Sequence, residues 1–225
     1  TNSSIGLIYA LKKIFMKNLI KIILDKTTSQ TKLNLIISGG ESPKIFLKKL
    51  SKFKDNFKKI NFYLSDERLA DKKNFSNLKN LLKVINKRKI NIKIIPPTNK
   101  KNFLKNYKKN YLISILGMGE DGHFASIFGI SKKFNLLANK KYEPNIHFTD
   151  KLGKPFCKRV TVNLSAILKS KKIFIILSNK RKKNLLKKAL KEKNSKKYPI
   201  YLLFKYAKKK LSFFHANNLN QIKLF

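Results

Sequence analysis

The stretch Tyr111-Leu-Ile-Ser-Ile-Leu-Gly-Met-Gly-Glu-Asp-Gly-His-Phe-Ala-Ser-Ile-Phe128 decides how the rest of the chain is read. Residues 111–116 form an apolar run of the length of a buried strand. Gly117, Gly119 and Gly122 then break regular structure, and residues 125–128 read as the opening of a helix. Strand, glycine turn and helix in that order predict a ligand site, because open α/β sheets bind ligands at the carboxyl ends of strands, against helix N-termini. Glycines in such a turn let backbone amides approach a ligand closely. The same turn carries an acid and an imidazole, Asp121 and His123. Histidine is the side chain best suited to proton transfer near neutral pH.

Outward from this stretch the chain repeats the strand–helix order. Upstream, residues 33–37 predict a short strand, Ser38-Gly39-Gly40 a turn, and Pro43 the first position of a helix reaching about residue 53. Residues 60–64 predict the next strand, with Asp66-Glu67-Arg68 at its end and Ser76-Asn77 near the start of a further helix. Residues 91–95 read as a strand stopped by Pro96-Pro97, and residues 99–110 as a short helix. Ile5, Ile8, Leu11, Phe15, Leu19 and Ile22 recur at helical spacing and predict an amphipathic helix over 5–24. Downstream, residues 129–155 show loop signals and no period; a loop of that length is often functional and could cover a site. Strands are predicted over 159–164, 173–177, 199–204 and, at the sheet edge, 211–214, with helices over 165–170 and 184–192. His147 and His215 read as exposed. This order implies a doubly wound, mainly parallel sheet with helices on both faces, a three-layer α/β/α sandwich. No repeat or linker interrupts residues 1–225, so a single domain is expected.

Four motifs follow one another: Ser38-Gly-Gly-Glu-Ser-Pro43; Ser65-Asp-Glu-Arg68 with Ser76-Asn77; the glycine stretch with Asp121 and His123; and Arg159-Val-Thr-Val-Asn163 with Lys182. In that order they resemble the 6-phosphogluconolactonases. The resemblance implies a three-layer fold shared with glucosamine-6-phosphate deaminases and ribose-5-phosphate isomerases. It also implies hydrolysis of 6-phospho-D-glucono-1,5-lactone to 6-phosphogluconate. A neutral His123 is the expected general base, with Asp121 holding its ring. The glycine-turn amides near Gly117 to Gly119 are candidate oxyanion donors. Arg68, Lys182 and the turn holding Gly39, Gly40 and Ser42 are candidates for the phosphate, with Arg159 a weaker one. Asp66 and Glu67 are candidates to orient Arg68 or position a sugar hydroxyl, and the resemblance implies that the Ser76-Asn77 segment borders the substrate site. The sequence departs from the family pattern at Glu41, Phe124, Gly129 and Asn179. Glu41 brings negative charge to the phosphate turn and must point away, pair with a lysine or weaken binding.

Other classes fit less well. A net charge of +42 raises a nucleic-acid-binding reading. The lysines, however, are spread over every predicted helix, and Lys, Asn and Ile abound throughout, as in AT-rich coding. Three widely spaced histidines and the lone Cys157 argue against a metal site. Gly117, Gly119 and Gly122 have dinucleotide-fingerprint spacing, but the acid about 20 residues on, Glu143, falls in an irregular region. No cofactor is therefore expected, and no G-x-S-x-G elbow is present. The lysine-interrupted N-terminus lacks a signal-peptide pattern, and no apolar run reaches the roughly 20 residues of a membrane span. With one cysteine, a cytoplasmic protein is expected. The nearest rival is a deaminase or isomerase of the same fold. Those deaminases carry a Glu five residues after the signature His, where this chain has Phe128.

Overall fold

The computed structural model of the chain describes residues 17–30, 32–70, 75–86 and 94–222. In chain order the elements are α1 (Leu19–Ser29), β1 (Leu33–Ile37), α2 (Glu41–Leu50), α3 (Lys54–Lys58), β2 (Ile60–Leu64), β3 (Asp66–Leu69), α4 (Asn77–Asn86), β4 (Ile94–Ile95), α5 (Lys100–Asn106) and β5 (Tyr111–Gly117). They continue as α6 (Phe134–Ala138), β6 (Ile146–Phe148), β7 (Lys158–Val162), α7 (Leu164–Leu168), β8 (Lys172–Leu177), α8 (Lys180–Glu192), α9 (Tyr201–Ala207), β9 (Leu211–His215) and β10 (Gln221–Ile222).

The main sheet has seven strands in the order β10-β9-β8-β5-β1-β2-β4. Every neighbouring pair is parallel except β9 with β10. Alternating side chains feed two cores. Leu33, Leu35, Ile37, Ile113, Ile115, Phe174 and Ile176 pack on one face with residues of α1, α2 and α4. Ile36, Leu112, Leu116, Ile173 and Ile175 pack on the other with residues of α5, α7, α8 and α9. That period of two, with apolar residues on both faces, is what a strand covered by helices on each side requires. The result is a three-layer α/β/α sandwich. The chain leaves β1 toward β2 and leaves β5 toward β8, so the sheet order reverses between β1 and β5. A crevice opens at the carboxyl ends of strands at such a reversal.

Several elements differ from the sequence reading. Residues 199–204 belong to no strand; α9 begins at Tyr201 and buries Leu202, Leu203 and Ala207. A short apolar run is ambiguous between the two, and here the helical faces find the core. β9 is not the edge, because β10 pairs beyond it. Residues 129–155 are not structureless: they hold α6 and β6. β6, β7 and β3 form a separate antiparallel sheet. Asn163 ties this region down, accepting from the Asn145 amide at 3.0 Å and donating to the Glu143 carbonyl at 2.9 Å. His147 accordingly sits half-buried in β6 rather than in an exposed loop. Residues 125–128 form a tight turn, not a helix. Ala125 is left-handed (φ 48°), and the Ser126 hydroxyl donates to Asp66 at 2.7 Å while its amide donates to Thr161 Oγ1 at 3.1 Å. These long-range partners outweigh local helix propensity. α2 starts two residues before Pro43, which still lies in the first turn where no amide donor is needed. Of the helix expected over 5–24, residues 5–16 lie outside the described residues; the described helix begins at Leu19 and runs on to Ser29. Residues 91–93 of the expected 91–95 strand also lie outside them.

Candidate active site

A cleft of about 310 Å³ opens at the β1–β5 reversal. Of the anticipated site residues, Gly39, Gly40, Ser42, Asp66, Arg68, Asn77, Gly117, Gly119, His123, Arg159 and Lys182 line it. Asp121 reaches it through His123. One staple fixes the two halves: the Gly117 amide donates to the Ser38 hydroxyl at 2.8 Å, joining the ends of β5 and β1.

His123 is held on three sides. Its Nδ1 lies 2.5 Å from Asp121 Oδ1. Its ring stacks on Phe128, with centroids 3.9 Å apart and planes 25° from parallel. Gly119 lies so close that a Cβ there would meet Nδ1 and Cε1 at 2.1 Å. Burial raises the Asp121 carboxyl, but the hydrogen bond and charge of His123 outweigh it and hold it below the ordinary carboxylate value. Asp121 is therefore an ionised acceptor, which places the proton on Nδ1 and leaves Nε2 as the basic nitrogen, with no protein partner among the described residues.

Three cations, Arg68, Arg159 and Lys182, border the same cleft. Arg68 donates through Nη1 to the Phe75 carbonyl at 3.2 Å, and its buried Nε has no partner among the described residues. It makes no ion pair among the described residues. Asp66 and Glu67 are buried, and neither makes an ion pair with Arg68. Glu67 is buried and accepts from the amides of Arg68 (2.7 Å), Asn77 (2.7 Å) and Leu78 (2.9 Å), so it caps α4. Asp66 accepts from Ser65, Ser126 and, through Nδ2, from Asn77. Lys182, at the start of α8, is half-buried, and burial draws its ammonium below the ordinary lysine value, opposed by Glu120. Asn179 caps that helix by accepting from the Lys182 amide at 2.9 Å. Its departure from the family pattern thus has a structural use.

At the N-terminus of α2, the amides of Gly39, Gly40, Glu41 and Ser42 have no partner among the described residues. Such free donors, at the positive end of a helix dipole, suit an anion. Glu41 lines the cleft but is largely exposed and pairs with Lys44 at 2.5 Å, so a lysine answers its charge.

Two expectations are narrowed. The amides of Gly117 and Gly119 are engaged, the first by Ser38 and the second by the His123 carbonyl at 2.8 Å. Neither is free to bind an oxyanion. Arg159 is buried and donates to the carbonyls of Leu152 (3.0 Å) and Pro155 (3.1 Å), while its guanidinium lies 5.3 Å from the Phe128 centroid. Its principal contacts are structural. The stacking partner Phe128 was visible in the sequence only as a missing acid. No local spacing announces that an aromatic five residues on folds back over the imidazole.

Known proteins resemble this chain over most of its length. The family model for glucosamine-6-phosphate isomerases/6-phosphogluconolactonase matches residues 9–213. A 6-phosphogluconolactonase of Helicobacter pylori is 29% identical over 197 residues, covering 83% of this chain and 85% of that protein. One from Thermotoga maritima is 31% identical over 178 residues, covering 72% and 76%. The crystal structure of the Thermotoga maritima 6-phosphogluconolactonase superposes with a TM-score of 0.64 at 27% identity, covering 87% of this chain and 94% of that one. With the sheet reversal, the cleft and this match agreeing over nearly the whole sequence, the chain belongs to the glucosamine-6-phosphate isomerase/6-phosphogluconolactonase family.

Proposed function

We propose that the chain is a 6-phosphogluconolactonase, hydrolysing 6-phospho-D-glucono-1,5-lactone to 6-phospho-D-gluconate. The similar proteins carry that name, but the family also includes amino-sugar isomerases. The observation that carries the choice is Phe128 stacked on His123. The resembling deaminases place a carboxylate five residues after this histidine for a proton relay. Here that place is an aromatic face, leaving a single base suited to activating water.

In this reading His123 Nε2 takes a proton from water as its oxygen attacks the lactone carbonyl. Collapse of the tetrahedral intermediate breaks the ring C–O bond, and the imidazolium returns the proton to the departing oxygen. With the Gly117 and Gly119 amides engaged, neither of these two serves the oxyanion. The free amides of residues 39–42, with Arg68 and Lys182, hold the phosphate, and binding energy there is spent on orienting the carbonyl. The substrate is a small sugar-phosphate lactone. No described helix is long and apolar enough to cross a membrane. A cytoplasmic location accompanies this reading.

Incubation with the lactone and, separately, with glucosamine 6-phosphate tests it. Formation of 6-phosphogluconate without ammonia from the amino sugar is expected; ammonia release would reverse the choice. Lys182 gives a second test through pH. Its folded value is lowered, so its charge is lost earlier on the alkaline side than an ordinary lysine's. Calorimetric affinity for 6-phosphogluconate should therefore weaken as pH rises toward that range. Lys182→Arg, which stays charged, should abolish the decline, and Lys182→Ala should weaken binding at neutral pH by about 1.5–3 kcal/mol. Affinity that ignores both pH and the alanine variant would remove Lys182 from the phosphate site.

A further inference from the structure

We propose that Phe128 is a positioning residue for His123, and that Arg159 and Gly153 form the buttress holding Phe128 in place. The inference rests on His123 acting as the base.

The hydrogen bond to Asp121 fixes one ring nitrogen but not the ring plane. Asp121 is itself 53% exposed on its side chain, so water competes for that bond. A flat face at 3.9 Å, tilted by 25°, restricts the remaining rotation. Phe128 is fully packed, at 2% exposure, and cannot follow a moving imidazole. What keeps it there is the turn before β7. Gly153 has φ 70°, and a Cβ on it would meet Arg159 Nη2 at 2.7 Å and Phe128 Cζ at 2.9 Å. Only a residue without a side chain lets the guanidinium and the phenyl ring close on each other at that point. Arg159 is in turn pinned by the Leu152 and Pro155 carbonyls. A chain of contacts therefore runs from the 152–155 turn through Arg159 and Phe128 to the imidazole. This accounts for a buried arginine in the cleft that donates to two carbonyls of the 152–155 turn.

The stack makes a prediction independent of turnover. The wild-type protein has three histidines, and a ring stacked on Phe128 must have proton resonances shifted upfield of those of His147 and His215. In Phe128→Leu these resonances should move downfield, kcat should fall about tenfold to a hundredfold, and KM should hold, since phosphate contacts are untouched. Phe128→Tyr keeps the aromatic face and should restore both. Arg159→Leu should give a milder form of the leucine phenotype. Normally placed His123 resonances in the wild type would overturn the proposal even if Phe128→Leu failed to fold. So would a folded Phe128→Leu with wild-type kcat. If His123→Ala itself stays active, the base assignment fails instead, and the two failures are told apart by the wild-type spectrum.

Discussion

His123→Ala should lower kcat/KM on the lactone by about 100- to 10,000-fold, the usual contribution of a general base, while the protein stays folded. The ring is partly exposed, with 26% of its side chain accessible, and its packing partner is the one phenyl face. Losing that stack costs about 1 kcal/mol, a change thermal unfolding would register as a small shift. Asp121→Asn should come close to the same loss by a different route. The native carboxylate can only accept, which keeps the proton on Nδ1. An amide can donate to Nδ1 instead and so move the proton to Nε2, where it blocks abstraction from water. Nitrogen-15 chemical shifts of the imidazole would show the exchanged tautomer directly. The pair also has a pH consequence. A carboxyl held below its ordinary value stabilises the fold above the unfolded value, and that contribution fades as pH falls through the folded one. The asparagine variant should lack that part of the acid sensitivity. Full activity in His123→Ala would leave the cleft without its proposed base.

The strands of this fold were legible because they are short apolar runs between glycine, proline and polar turns. β1, β2, β5 and β8 fall within a residue or so of where the sequence puts them. The errors share a cause, which is that long-range contacts decided the local conformation. Nothing near Ser126 says that its hydroxyl will find Asp66, yet that bond helps hold a turn where helix was expected. β6 is only Ile146–Phe148, too short to show a period, and exists because β7 lies beside it. The site was legible in another sense. Its residues were named from motifs, and the sheet reversal brings those motifs together. Their partners were not legible. Whether Glu67 caps a helix or pairs with Arg68, and whether a glycine amide is free or already engaged, depends on distances that no spacing encodes. Glu41 makes the same point: the departure that seemed to oppose phosphate binding is answered by Lys44 one helical turn on.

Gly119→Ala should be nearly as damaging as His123→Ala although it adds a single methyl group. The new Cβ would lie 2.1 Å from two atoms of the imidazole and 2.8 Å from Asp121 Oδ1, far inside contact distance. Something must move, and the three nearest atoms all belong to side chains. Gly119 is not among the glycines with positive φ, so alanine meets no backbone objection. Its amide can keep the 2.8 Å bond to the His123 carbonyl, and the turn should survive. The imidazole should therefore swing off Phe128 and away from Asp121 while the fold stays intact. A displacement of about 1 Å is enough to cost about a hundredfold in rate. Thermal stability should change little, KM should hold, and the upfield histidine resonances should vanish. Because both changes remove the same positioned base, Gly119→Ala combined with His123→Ala should be no slower than His123→Ala alone, a non-additivity that residues acting as one unit show. Independent, multiplying losses would mean that Gly119 acts on the reaction by some path other than the ring it touches.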